Sequence, residues 1–348
     1  MPFHERSAIL KAIGAELQAG VLAYVTGDRE NLETEVGTDV LRRMPRHLDA
    51  IGKQDRLALV LYTLGGDTNA PWPFVNFLRG YCAELLVLVP FWAHSAGTLI
   101  ALGADTIYMT RFGTLSPIDP SVTNEFNPLD PENPGGHIPI AVEDVLAFFQ
   151  LASEQETGDT DLVGDAFRQL AESVHPLALG NVKRNIEQIW QLAKKLIRLH
   201  APDTDDAALT AVVRRMTTEL YSHSHMISRA EATDLGLPVE QPSDDLEDRL
   251  LAYYDHLIAD LDLLERFDAG VMLQAPRERR EPLPVVFERA YIETLTTCDA
   301  FVTRGVISQR PETQQPQEIM TPAEPPTGPP HRQEATLDVT SERWETIA

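Results

Sequence analysis

Ser95 and the pair Gly65-Gly66, thirty residues earlier, are the residues whose types and surroundings can do chemistry together. Ser95 follows the apolar run Leu85–Val89 and a short connection, and Ser95-Ala96-Gly97-Thr98 opens an apolar helical run. A serine on the turn from a buried strand into a helix sets its hydroxyl at a cleft beside free backbone N–H groups, which suits a nucleophile attacking a carbonyl. That chemistry also needs two donors for the oxyanion and a base for the serine proton. The N–H of Ala96 is the first expected donor. The second is the N–H of Gly66, because glycine lets backbone approach a ligand with no Cβ in the way. An extended substrate can then lie as an added strand here, making Gly65 and Asp67 the expected substrate contacts. Alone, a Gly-Gly after a strand is a tight turn and a serine at a helix start is an N-cap. Together at one sheet edge, where α/β folds keep their sites, they point to catalysis. Ala93 stands where G-x-S-x-G has its first glycine, which argues against an α/β-hydrolase.

These motifs must be positioned by alternating strands and helices. Apolar spacing predicts a helix over 5–18 stopped by Gly20, a strand over 21–26, a helix over 40–51, a strand over 56–63 and a helix over 70–81. Strands follow at 85–89 and 106–110. Near-continuous apolar strands fit a largely parallel sheet covered on both faces. Residues 111–137 are rich in Pro, Asn, Asp and Gly, and are expected to form an unpacked active-site or subunit-contact loop. Helices are expected over 140–151, 161–173, 180–200, 207–220 and 246–264, with a short helix stopped by Gly236 in 228–240. A further helix is expected over 285–303. From about residue 309 the chain has few apolar residues and is expected to be disordered. The domain reading is a catalytic domain over 1–270 with a loop insertion at about 111–175, a helical extension over 271–308, and an acidic, Pro-rich tail over 309–348.

With 348 residues, 43% hydrophobic, the chain can bury a large core. Its 29 basic and 53 acidic residues give a formal charge of −24, which disfavours nucleic acid as a partner. No apolar run reaches the roughly 20 residues a bilayer-spanning helix needs, so no integral membrane segment is expected. The start, MPFHERSAILKAIGAEL, lacks the pattern of a signal peptide, and a cytoplasmic location is expected. In that setting Cys82 and Cys298 are read as free, buried thiols, Cys82 ending a helical segment and Cys298 within a helix. The pair His223 and His225 has no third ligand at convincing spacing, so no metal is expected. A dinucleotide fingerprint is absent, and no cofactor is expected.

The stretches LALVLYTLGGDTNA, LLVLVPFWAHSAGTLIALGADTIYMTRFGTLSPIDP, HPLALGNVKRNIEQ and ISRAEATDLGLPV resemble the serine dehydrogenase proteinase family of the ClpP/crotonase superfamily, related to signal peptide peptidase A. The resemblance runs in order through most of residues 20–240. It implies an α/β spiral of ββα units with helical additions, serine peptidase chemistry on a peptide or protein substrate, and a homo-oligomer. It also implies a base. Peptidases similar to signal peptide peptidase A pair their serine with a lysine on a later helix, and Lys183 occupies that place. Helical geometry puts Lys183 at the margin of the apolar face, where it is the lysine of that helix most open to partial desolvation. A histidine base, as in the Clp protease subunit, is the rival: His94, His137 and His175 are the candidates, with Asp119 as an orienting carboxylate. Two other functions fit the same framework, a catalytically inactive scaffold and a crotonase-type acyl-CoA enzyme that reuses the two N–H donors on a thioester.

Overall fold

Residues 21–26, 57–62 and 85–89 form neighbouring strands that are buried on both faces. In a computed structural model the described residues are 2–118, 121–122, 124–131, 133, 135–155, 161–218, 225–274, 282–309 and 335–348. The chain opens with α1 (Pro2–Leu17), β1 (Gly20–Thr26), a 3-10 turn (Thr38–Arg42), α2 (Met44–Ile51), β2 (Gln54–Tyr62), α3 (Pro71–Arg79) and β3 (Cys82–Val89). The two-residue strand β4 (Trp92–Ala93) leads into α4 (Ala96–Ala101), β5 (Thr106–Met109), β6 (Thr114–Leu115), β7 (Ser121–Val122) and β8 (Ile140–Ala141). Helices α5 (Val142–Gln155), α6 (Leu162–Ser173), α7 (Pro176–Arg198) and α8 (Asp206–Thr218) follow, then β9 (Ile227–Ser228), α9 (Arg229–Asp234) and β10 (Val239–Glu240). The remainder is α10 (Asp244–Asp260), α11 (Ala269–Gln274), β11 (Leu283–Glu293), β12 (Cys298–Gln309) and β13 (Ala335–Thr346).

The architecture is mixed α/β, as expected. Eight strands form one sheet in the order β10-β5-β3-β2-β1-β11-β12-β13, parallel from β10 to β1 and antiparallel from there to β13. Alternate residues of β2 serve two cores. Leu57, Leu59 and Leu61 pack with α2, α3 and α4, while Ala58, Val60 and Tyr62 pack with α1 and α10. Both faces are covered, so these strands read as continuous apolar runs.

Several expectations are corrected. Residues 285–303 are not helical; they lie in β11, β12 and the turn at 294–297 that joins them. A bulge between Glu288 and Ala290 breaks the period-two alternation, and burial on both faces beyond it removes the polar side, so the strand pattern was masked in the sequence. Cys298 accordingly begins a strand, as does Cys82, and both thiols are free.

Residues 335–346, expected to be disordered, form β13, paired with β12 along its length. Trp344 is 6% exposed, and hydrogen bonds from Arg304 and Arg343 hold the Glu345 carboxyl down at about 2. The ordering entropy is offset by cross-strand pairing rather than by a hydrophobic run. Of the expected tail, residues 310–334 lie outside the described residues.

The stretch after Arg111 is not wholly unpacked: Leu115, Ser116 and Ile118 are buried, because β6 pairs with β4 and β9 beneath the Ser95 turn.

Candidate active site

Past the end of β2 the chain is held from two sides. Thr63 forms a parallel bridge with Ala93, its N–H donating to Trp92 O (2.9 Å) and its carbonyl accepting from His94 N (3.0 Å). Gly66 forms a parallel bridge with Val36: Val36 N donates to Gly65 O (2.7 Å) and Asp67 N donates to Val36 O (2.8 Å). In trans peptides C=O and N–H point oppositely, so the N–H and C=O of Gly66 both face away from Val36.

The two glycines are required. Gly65 has φ 114°, and a methyl group there would lie 2.6 Å from Ser95 Cβ; Gly66 has φ 143°, and its methyl would lie 2.4 Å from Val36 O. Thr63 Oγ1, fully buried, accepts from Gly65 N (3.0 Å) and from Thr26 Oγ1 (2.6 Å), which fixes the turn from below.

Ser95 sits between β4 and α4 with φ 50° and ψ −110°, left-handed backbone that costs a non-glycine residue on the order of 1–3 kcal/mol. The surrounding hydrogen bonds over-determine it. Ser95 N donates to Ser116 Oγ (2.7 Å), and Gly97 N donates to His94 O (2.7 Å). Thr98 Oγ1 donates to Ala93 O (2.8 Å) and accepts from Ser116 N (3.1 Å). Gly97 allows the close approach of α4, since a methyl group there would lie 2.5 Å from Thr63 Cγ2. Ser95 Oγ makes no capping bond to α4, the residue is half-buried, and Ala96 stands at the first position of that helix. First-turn N–H groups have no partner within their own helix.

Ser95, Ala96, Gly65 and Gly66 are therefore brought together. Asp67 lies at the same edge, but its Oδ1 is taken by the N–H and Nδ2 of Asn69 (both 2.8 Å), so its side chain builds the turn. The supporting hydroxyls of Thr26, Thr63, Thr98 and Ser116, and the backbone of Val36, were not singled out from sequence. Isolated Ser and Thr carry no spacing signal, and only the T-I-Y-M-T-R-F-G-T-L-S order would have placed a buried serine under the elbow.

Each of the proposed bases has a partner other than Ser95. Lys183 is 70% exposed and pairs with Glu187 (2.9 Å) across one turn of α7. The expectation that it is the part-desolvated lysine of that helix is corrected: Lys194 holds that place, 9% exposed and paired with Asp206 (3.1 Å). Burial on α7 is concentrated in its C-terminal half, at Ile189, Ala193, Lys194, Leu196 and Ile197, where Lys194 meets Asp206 of α8, while Lys183 lies in the more exposed N-terminal part. Even so, α7 packs on α3 and α4, and Gln188 donates to Asn69 Oδ1 (3.0 Å) in the turn beside Gly66.

His94 is hydrogen-bonded through Nε2 to Thr114 Oγ1 (2.9 Å) and stacks on Trp92. His137 donates from Nδ1 to Asn127 O (2.8 Å). His175 caps α7, its Nδ1 accepting from Leu177 N (3.2 Å), and stacks on Phe126. Asp119 and His223 lie outside the described residues. His225 pairs with Glu231 (2.8 Å).

Among the described residues no helix is long and apolar enough to cross a membrane. Two uncharacterized proteins of Methanocaldococcus jannaschii are similar to this chain. One is 27% identical over 195 residues, covering 56% of this chain and 57% of its own. The other is 29% identical over 185 residues, covering 52% and 51%. The chain thus spans about half the length of the curated relatives it matches. Among solved structures, the 1510-N membrane-bound stomatin-specific protease, in a mutant form, matches with a TM-score of 0.35 and 16% identity, over 68% of this chain and 85% of that one. Residues 35–129, the stretch that contains Val36, Gly65, Gly66, Ser95 and Ser116, match the family of ClpP-like SDH-type serine proteinases.

Proposed function

We propose that this chain is a serine peptidase acting on peptide or protein substrates, with Ser95 as nucleophile. The observation that carries the reading is the strained Ser95 backbone set directly against Gly65. A position so costly to hold, with a hydroxyl left uncapped, is what acyl transfer needs and what a plain helix start does not. In this mechanism Ser95 Oγ attacks the scissile carbonyl, and the N–H groups of Gly66 and Ala96 stabilise the oxyanion. Lys183 takes the serine proton and returns it to the leaving amine, and water then hydrolyses the acyl-enzyme. Lys183 exchanges Glu187 for the nucleophile when substrate is laid between α7 and the Gly65–Asp67 strand. The match of residues 35–129 to a serine proteinase family supports the peptidase class.

Hydrolysis of an unfolded protein such as casein tests the proposal. Cleavage by the full chain that disappears in Ser95→Ala supports it, and equal cleavage by both proteins refutes it. An inactive scaffold predicts no cleavage by either.

A further inference from the structure

We infer that β13 braces the oxyanion strand, with Trp344 and Asp39 as positioning residues for Gly66. The link begins on β13. Trp344 packs edge-on against Phe301 (5.6 Å between centroids), and its Nε1 donates to Asp39 Oδ2 (2.7 Å). Arg43 donates to the Trp344 carbonyl, and Arg46 reaches Thr346 and Asp299 Oδ1 (3.3 Å). His47, fully buried, meets Asp299 Oδ2 (3.3 Å), whose other oxygen accepts from Thr346 Oγ1 (2.6 Å). Four side chains of residues 39–47 thus grip β13 and the start of β12.

The same segment ends on the active site. Val36, Val40, Met44 and Leu48 are buried at i, i+4 spacing in the core cluster that also contains Trp344. Val36 bonds to Gly65 and Asp67 on either side of Gly66, and the Gly66 Cα is so close that even a methyl group would meet Val36 O at 2.4 Å. There is no slack at this contact. Residues 36–48 act as a bar clamped by β13 at one end and by the Gly65–Asp67 strand at the other, so loosening β13 lets Gly66 move. Packed interiors transmit such displacements rather than absorbing them. The catalytic consequence rests on the assignment of Gly66 to the oxyanion; the mechanical link does not.

The experiment compares the full chain with Trp344→Phe, which keeps the ring but removes the Nε1 donor. Hydrogen exchange is read at the Val36 and Asp67 amides, together with the rate of fluorophosphonate labelling of Ser95. The brace predicts exchange at both amides faster by about tenfold, the equivalent of one hydrogen bond to a charged acceptor, with the β2 and β3 amides unchanged. It also predicts slower labelling per folded molecule. A purely structural role for Trp344 lowers the unfolding midpoint and speeds exchange everywhere alike. Val36 and Asp67 exchange unchanged, or raised only in step with β2 and β3, overturns the inference. If Trp344→Phe does not fold, Asp39→Asn reads the same amides. Should the unaltered chain resist labelling while the amides respond, the peptidase reading fails and the brace stands.

Discussion

Gly65 and Ser95 face each other with no room for a methyl group between them: a Cβ on Gly65 would lie 2.6 Å from Ser95 Cβ and 3.2 Å from Ser95 Oγ. Gly65→Ala therefore both strains a backbone at φ 114° and pushes the serine off its position. The substitution is expected to lower fluorophosphonate labelling by on the order of 10²-fold, comparable to losing one oxyanion donor. Gly80→Ala, at ordinary φ, serves as the control and should label normally.

Thr98 carries three contacts beneath the elbow through one buried hydroxyl. Thr98→Val keeps the shape and leaves Ser116 N–H and Ala93 C=O without that partner. A loss of about 2–3 kcal/mol in urea unfolding is expected, because buried polar groups deprived of a partner keep their desolvation cost. Stability equal to that of the unaltered chain contradicts this role.

Lys183 separates structure from chemistry. Its ion pair with Glu187 is exposed, and exposed pairs contribute little. Lys183→Ala should leave the urea midpoint unchanged while slowing Ser95 labelling by on the order of 10²- to 10⁴-fold, the usual contribution of a general base. Unaltered labelling removes Lys183 from the site and turns attention to His94, His137 and His175.

Burial pushes the His47 imidazole below its usual range, against the raising effect of Asp299. The unfolded chain then binds more protons than the folded one below about pH 6.5. Stability is complete above that pH and falls as the pH drops toward the folded value, by at most about 1.4 kcal/mol per pH unit for this group. His200 acts in the same sense, and Asp28, raised by burial, in the opposite one. Comparing His47→Gln with the unaltered chain cancels both. Urea unfolding between pH 7 and 5 should show a flatter stability profile for His47→Gln, and parallel profiles contradict the assignment.

The parts legible in the sequence are those whose signal is local. Apolar runs mark β1, β2, β3 and β5, helical patterns mark α1 through α8 and α10, and the glycines at 65 and 66 mark a close approach that the fold makes. What escaped was set by partners distant in the chain. Residues 335–346 look disordered until β12 and Asp39 supply their pairs, and 285–303 look helical until a bulge accounts for the broken alternation. Spacing within α7 alone does not show which lysine is buried, because that depends on where along the helix α8 packs, at Lys194 and not at Lys183.

Ser95 Oγ, as the nucleophile, should carry any covalent serine-directed adduct. The direct measurement is mass-spectrometric mapping of the residue modified by a fluorophosphonate in the full chain and in Ser95→Ala. A single adduct is expected on the peptide containing Ser95, absent from the variant. An adduct elsewhere, or equal labelling of Ser95→Ala, contradicts it.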